Sequence, residues 1–354
     1  MSQIQHRVLI VGSGGREHAL AVKIAASPRV DHVYVAPGNA GTARMRGVQN
    51  VALAATDIVG LRDFAHDNDV TLTVIGPEAP LADGIVDAFS DAGLACFGPG
   101  RDAARLEASK AFSKDFLARH AIPTAEYAVF ADYDKAAAYI RERGAPIVVK
   151  ADGLAAGKGV YLAATVDAAL DAARDMLEDN AFGDSGARIV VEEFLTGEEA
   201  SFIAMVDGHN ILPLASSQDH KAAHDGDTGP NTGGMGAYSP APVMTDAVFA
   251  HVMATVIRPT VAAMAADGNA FTGFLYAGLM VDANGDAKVL EFNVRLGDPE
   301  TQPILMRLRS DLVDLVDAAI DGRLDQVEAE WHAQAALGVV MAAGGYPGSY
   351  DKDD

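Results

Sequence analysis

The sequence predicts an α/β protein: a parallel α/β unit comes first and a strand-rich unit follows. Three observations carry this. Early in the chain, RVLIV, HVYVA, LTVIG and ACFG read as short buried strands separated by helix-length segments, the pattern of a parallel sheet flanked by helices. From about Ala125 to Leu195 the order reads strand, helix, strand, glycine loop, strand, helix, strand. Beyond it, EEASFIAMVDG, NILPLASS, FTGFLYAGLMVD and AKVLEFNVR read as further strands, the last two joined by the hairpin signal Asn284-Gly285.

The connecting elements follow in order. Pro99 and Gly100 punctuate the end of the first unit, and ASKAFSKDFLARH reads as a helix that IP ends. A glycine-rich polar stretch, AHDGDTGPNTGGMGAYSPAP, precedes a long helix over about Thr245 to Ala266. Two helices and an apolar strand, LGVVMAAGG, close the pattern. No internal repeat is visible.

The chain has 354 residues, enough for two or three cores. Acids outnumber bases 49 to 27, a net charge of −22. Such a surface repels nucleic acid and anionic membranes, and a polyphosphate needs a local cluster of cations. The one cysteine, Cys96, forms no intrachain disulfide and sits in a run that reads as buried strand. No leader-like segment and no apolar run of bilayer length is expected, so the reading is a soluble cytoplasmic protein.

Lys150 to Val160, KADGLAAGKGV, joins two predicted strands. A Walker loop needs four residues between its glycines and then Lys and Ser or Thr, and runs into a helix. Here Gly153 and Gly157 are separated by three residues and Gly159 follows Lys158. Either a different phosphate cradle or a plain hairpin fits. In VLIVGSGGREHAL, Gly12 and Gly14 fit a dinucleotide fingerprint, but Glu17 stands at its third glycine and the second strand ends in APG without an acid. What survives is a helix N-terminus near Arg16 and His18 that could seat one phosphate, or a tight turn.

In VVEEFLTGEEASF, the residues Glu192 to Leu195 leave a strand with free backbone groups of the kind an adenine edge needs. Glu199 could accept ribose hydroxyls, or the segment is an acidic turn. In KVLEFNVRLGDPETQ, Glu291 and Asn293 share one strand face. Strict alternation places Val289 on that face and Leu290, Phe292 and Val294 on the apolar one. Carboxylate and amide oxygens suit Mg²⁺, which takes few protein ligands and completes its shell with phosphate and water. Arg295 continues the polar row. DTGPNTGGMGAYSP, with Asn231 and Thr232, reads either as a mobile loop or as a set of backbone donors for an anion.

Taken in order, Lys110, Lys150, the glycine loop, EEFLTGEE and Glu-x-Asn resemble the ATP-grasp superfamily. GSGGREHAL, APGNAGTA, GPEAPL, SKAFSKDFL, KADGLAAGKGV, SQDHK, GPNTGGMGAYSPAP and EFNVRLGDPETQ resemble more narrowly the phosphoribosylamine–glycine ligase family, from about His6 to the end. The resemblance implies a pre-ATP-grasp α/β domain over 1–106 and an ATP-grasp domain over 107–330 with a mobile small subdomain at about 123–191. Residues 331–354 would then begin a C-terminal domain cut short, since that family continues beyond this point. LGVVMAAGG would lack its sheet neighbours, and ribosylamine use would suffer.

The implied reaction joins glycine to 5-phosphoribosylamine at the expense of ATP through a glycyl phosphate, in purine synthesis. Lys110, Lys150 and Lys158 would hold phosphates, with Lys158 in a lid. Glu192 and Leu195 would frame adenine, and Glu199 would take the ribose. Glu291 and Asn293 would bind Mg²⁺, with Mn²⁺ as an alternative, and Gly278 falls where many relatives carry another acidic ligand. Arg295, Lys158 and Asp219 are the implied catalytic residues. Gly14, Gly15, Arg16, Pro37, Gly38, Asn39, Glu78, Asn231 and Thr232 are the implied substrate contacts. A monomer without nucleic-acid or membrane partners is expected. The rival readings are an ATP-grasp ligase with another acceptor, a nucleotide-binding chain without turnover and, more distantly, a nicotinamide oxidoreductase.

Overall fold

The computed structural model describes residues 5–154, 159–179 and 183–349; Lys158 lies outside them. The first sheet is parallel throughout. Its strands are β1 (His6–Gly12), β2 (Val30–Pro37), β3 (Val48–Asn50), β4 (Leu72–Ile75) and β5 (Cys96–Phe97), in the order 3-2-1-4-5. Leu9 and Val11 pack into one core, Val8 and Ile10 into another. The period-2 alternation of β1 thus feeds both covered faces of the sheet. The order reverses between β1 and β4, and ligands of open α/β sheets bind beyond the carboxyl ends of strands at such a point. Cys96 is half-buried on edge strand β5, not enclosed as the apolar run suggested.

Helices α1 (Gly15–Ala25), α2 (Ile58–Asp67), α3 (Glu78–Ala82) and α4 (Ile85–Asp91) connect these strands. Next come α5 (Arg101–Ala108) and α6 (Lys110–Arg119). A small antiparallel unit follows: β6 (Tyr127–Phe130), α7 (Tyr133–Arg143), β7 (Ile147–Ala151), β8 (Val160–Ala163), α8 (Val166–Leu177) and β9 (Ile189–Glu193), with strand order 6-9-7-8. It has its own core, in which Ala136 and Ile140 of α7 meet Val149, Ala169, Ala173 and Ile189. Those residues form an apolar cluster separate from the two cores of the first sheet.

The central sheet is antiparallel, ordered 11-10-16-17. It is built from β10 (Glu198–Asp207) and β11 (Ile211–Pro213) and, later in the chain, β16 (Thr272–Val281) and β17 (Ala287–Asn293). Between them lie β12 (Gln218–Asp219), the hairpin β13 (Ala222–His224) and β14 (Thr228–Asn231), and β15 (Gly236–Ser239). Helices α9 (Asp246–Val252) and α10 (Arg258–Ala266) are joined through a π turn into one 21-residue helix. That helix is long and apolar enough to cross a membrane, contrary to the sequence expectation. Here Val252, Val256, Ile257, Val261 and Met264 bury its apolar side in the main core.

Two more expectations need correction. Gly278 pairs with Glu291 but Leu279 pairs with Val289, so Leu290 is a bulge in β17. The bulge shifts the alternation, and Val289 joins Phe292 and Val294 in the core. Glu291 and Asn293, beyond it, still share a face. After α11 (Thr301–Arg307) and α12 (Leu312–Ile320), strand β18 (Ala336–Val339) is not an orphan, because it pairs antiparallel with β15.

Candidate active site

One end of the site begins with an N-cap. Ser109 accepts a hydrogen bond from the Phe112 amide and fixes the start of α6. Its hydroxyl donates to Asp152 Oδ1 at 2.8 Å, and that oxygen also accepts the Ala111 amide at 2.8 Å. Asp152 lies two residues after Lys150, and Arg188 holds its other oxygen at 3.0 Å. This carboxylate ties the end of β7 to the first turn of α6 and so draws Lys110 towards Lys150. Lys110 Nζ donates to the Gly153 carbonyl at 3.2 Å, and Lys150 Nζ to the Leu290 carbonyl, at the bulge, at 3.2 Å.

The Glu192 side chain lies between lysines. Its Oε2 is 2.9 Å from Lys114 Nζ and 3.0 Å from Lys150 Nζ, while Oε1 is buried without a hydrogen-bond partner among the described residues. Burial pushes Lys114 down to about 8 despite Glu192. Leu195 lies half-buried in the link between β9 and β10.

Glu291 and Asn293 project beside these cations. Among the described residues neither side chain makes a hydrogen bond, and Glu291 makes no ion pair. Burial opposes the charge of Glu291, but Lys221, Lys150, Lys110 and Arg295 outweigh it and hold the carboxyl below its ordinary range. An ionised carboxylate lacking a direct partner, beside a free amide oxygen, fits a hard divalent cation. Among the described residues no three His, Cys, Asp or Glu side chains converge as a metal site. The donor set therefore suits a metal that takes most of its shell from phosphate and water. Gly278 stands opposite Glu291 on β16 and adds no ligand.

Lys221 Nζ lies 2.7 Å from Glu199 and 3.4 Å from Asp219. Burial pushes Asp219 up to about 6; Lys221 opposes this, and Glu300 and Glu199 reinforce it. Thr232 is buried and bonds the Lys221 carbonyl through both its amide and its hydroxyl, each at 2.8 Å, whereas Asn231 is exposed on β14.

The second half of the site lies beyond β1, β2 and β4. Gly12 has φ +129°, and a Cβ there would fall 2.5 Å from Glu17 Cγ. The glycine lets Glu17 fold under the loop and accept the Gly14 amide at 2.6 Å. The Arg16 amide donates to Asp298 at 3.2 Å, and its guanidinium turns inward to Glu17 at 2.6 Å and the Leu296 carbonyl at 3.1 Å. Two of the amides expected to seat a phosphate thus already have carboxylate partners. Gly38, at φ +72°, lies against Asn50 where a Cβ would clash. Asn39 donates to the Ser13 carbonyl at 2.9 Å and brings the Pro37–Asn39 turn onto the Ser13–Gly15 loop. Arg295 spans the two halves, 2.8 Å from Glu107 and 3.5 Å from Glu78.

The structure thus gathers Lys110, Lys150, Glu192, Glu291 and Arg295 along one path and sets Gly14, Gly15, Pro37, Gly38, Asn39 and Glu78 at the sheet's switch point. Sequence reasoning passed over Lys114, Glu107, Asp152, Arg188, Lys221, Asp298 and Glu300. For Lys114 a signal was present: it lies one helical turn from Lys110, on the same face. Two clefts, of about 470 and 320 Å³, lie elsewhere, around Ile211 and Arg258 and around Phe249 and Trp331.

A small antiparallel unit over a central sheet, two lysines and a Glu-x-Asn strand define an ATP-grasp enzyme. Family models narrow the class. The phosphoribosylglycinamide synthetase N domain matches residues 6–107, and the ATP-grasp (A) domain of the same family matches residues 108–301. The chain belongs to the phosphoribosylglycinamide synthetase family, ATP-dependent ligases of purine biosynthesis. It is 66% identical to the phosphoribosylamine–glycine ligase of Vibrio cholerae over 348 residues, 98% of this chain and 81% of that protein. The crystal structure of the Thermotoga maritima phosphoribosylamine–glycine ligase matches with TM-score 0.82 and 33% identity, over 98% of this chain and 82% of that one. The biotin carboxylase domain of Hydrogenobacter thermophilus 2-oxoglutarate carboxylase, solved with MgADP, shares the fold at TM-score 0.71 and 15% identity, over 95% of this chain and 74% of that one.

Proposed function

We propose that the chain ligates glycine to 5-phosphoribosylamine, giving glycinamide ribonucleotide, ADP and phosphate by way of glycyl phosphate. The observation that carries this reading is the Glu291 carboxylate, which has no hydrogen-bond or ion-pair partner among the described residues and is held ionised by the charges of Lys221, Lys150, Lys110 and Arg295. A carboxylate is a poor electrophile, and phosphorylating glycine turns its oxygen into a leaving group. Phosphate and carboxylate are both anions, so cations must offset their repulsion.

Lys110 and Lys150 bind the α- and β-phosphates, and Lys158 covers them from the glycine loop. The Glu192 carbonyl and Leu195 amide meet adenine, and Glu199 meets the ribose. Glu291 and Asn293 would hold Mg²⁺, or Mn²⁺ in its place, and a cation bound there would supply charge neutralisation for the phosphate groups. Arg295 stabilises the acyl phosphate. Asp219, raised by burial to about 6, takes a proton from the attacking amine. The Gly14–Gly15 loop, Arg16, the Pro37–Asn39 turn and Glu78 position the ribosylamine, and Asn231 and Thr232 order the substrate loop. Residues 1–106 act as the N-terminal α/β domain, 107–330 as the ATP-grasp domain with about 123–191 as its lid, and the protein acts as a cytoplasmic monomer.

The test is ADP release by this chain with freshly made phosphoribosylamine. Release that needs both glycine and the ribosylamine supports the reading; release indifferent to either one refutes it.

A further inference from the structure

Lys114 has no part in the reading above, yet its side chain is only 3% exposed, against 7% for Lys150. Its Nζ donates to Thr124 Oγ1 at 2.7 Å, and the Thr124 hydroxyl donates to the Val289 carbonyl at 2.7 Å. This chain of bonds anchors the ammonium to α6 and β17, in the body of the molecule. Glu192 and Lys150 belong to the small antiparallel unit. A single carboxylate oxygen, Glu192 Oε2, therefore lies between an ammonium of the body and one of that unit, at 2.9 and 3.0 Å.

At nearly equal distances the two ammonium groups attract that oxygen about equally. We propose that Lys114 is a positioning residue: by sharing the Glu192 carboxylate it weakens the hold of that charge on Lys150, which stays available to nucleotide phosphate. This rests on the reading that Lys150 binds phosphate. A carboxylate 2% exposed has to be paired. Without Lys114, Lys150 is the one cation left in contact with it among the described residues. The 3.0 Å contact would then carry the whole charge of the carboxylate instead of half of it, and a phosphate would have to compete with that stronger pair for Lys150. Thr124 fixes the Lys114 ammonium at the body side of Glu192.

The experiment measures ATP affinity and steady-state kinetics for Lys114→Met, Lys114→Arg, Glu192→Gln, the Lys114→Met/Glu192→Gln double variant and Lys150→Met. Lys114→Met should raise Kd and KM for ATP about tenfold, the size of one charge-assisted hydrogen bond. Its kcat at saturating ATP should change far less, and Lys114→Arg should restore KM. In the Glu192→Gln background, Lys114→Met should add little, because no charge remains to be held. An unchanged KM in Lys114→Met, or an equal penalty in both backgrounds, overturns the inference. Should Lys114→Met not fold, Thr124→Val, which removes the anchor, must raise KM in the same direction; no rise there overturns it equally. Lys150→Met separates the two layers. If it keeps full ATP affinity, the phosphate assignment itself falls. If it loses affinity while Lys114→Met does not, only the present inference falls.

Discussion

Arg295 Nη2 lies 2.8 Å from Glu107 Oε1, and the other oxygen of Glu107 accepts the Val294 amide at 2.7 Å. One carboxylate on α5 thus holds both the strand end after Asn293 and the guanidinium that follows it. The Glu107 side chain is 8% exposed and that of Arg295 17%. Removing one partner of a buried pair leaves the other charge uncompensated. Glu107→Ala should therefore lower unfolding free energy by about 3 kcal/mol and reduce ligase activity together with it. Denaturant unfolding beside an activity assay checks this. A variant of unchanged stability would mean that Glu78 alone suffices for Arg295.

Glu291→Gln and Asn293→Ala should abolish most ligase activity while leaving the fold intact. Neither side chain supports its surroundings through a hydrogen bond among the described residues, so its removal costs little packing. Loss of one metal ligand should lower turnover by roughly a hundredfold. Circular dichroism and turnover at saturating Mg²⁺ form the check, and near-normal rates in both variants would remove these residues from the metal site.

Much of this site was legible because its residues sit on regular elements. Glu291 and Asn293 are two apart on a strand, and period 2 fixes a shared face. The same rule misplaced Val289, because a bulge at Leu290 depends on the pairing partner and no local pattern announces it. Lys150 stood out at the entrance of the glycine loop, whereas Lys110 followed only from the family resemblance. Asp152, Glu107 and Lys221 did not, since each acts through a partner far along the chain: Asp152 on the α6 cap, Glu107 on Arg295, Lys221 on Glu199. The order 3-2-1-4-5, which makes a switch point of the β1 and β4 ends, follows from strand pairing and is likewise invisible in a linear pattern.

Leu337 and Val339 of β18 are 67% and 74% exposed, and Met341 just beyond is 95% exposed. The backbone of β18 is paired with β15, so its association hazard lies in these outward side chains and not in unpaired amides. Leu337→Lys with Val339→Thr should reduce aggregation of the monomer at high concentration without changing its thermal unfolding midpoint appreciably. Light scattering across a concentration series reads the first and a melting curve the second. Unchanged scattering would show that this strip is not where the chains meet.

Asp219 gives a dependence on pH with a defined sign. Burial raises its folded pKa to about 6, with Lys221 opposing and Glu300 and Glu199 reinforcing, from an ordinary value of 3.8. The folded state therefore binds this proton more tightly than the unfolded chain does. The favourable contribution is complete below the unfolded value and is lost as pH rises through about 6. Asp219→Asn has no such proton to lose. Whatever offset separates the two proteins at pH 4, the variant should gain stability relative to the parent as pH rises to 7, with most of the change finished just above 6. Urea unfolding at several pH values measures the difference. A difference that stays flat, or that moves in the parent's favour as pH rises, would mean that Lys221 dominates and that Asp219 is already ionised in the acid range.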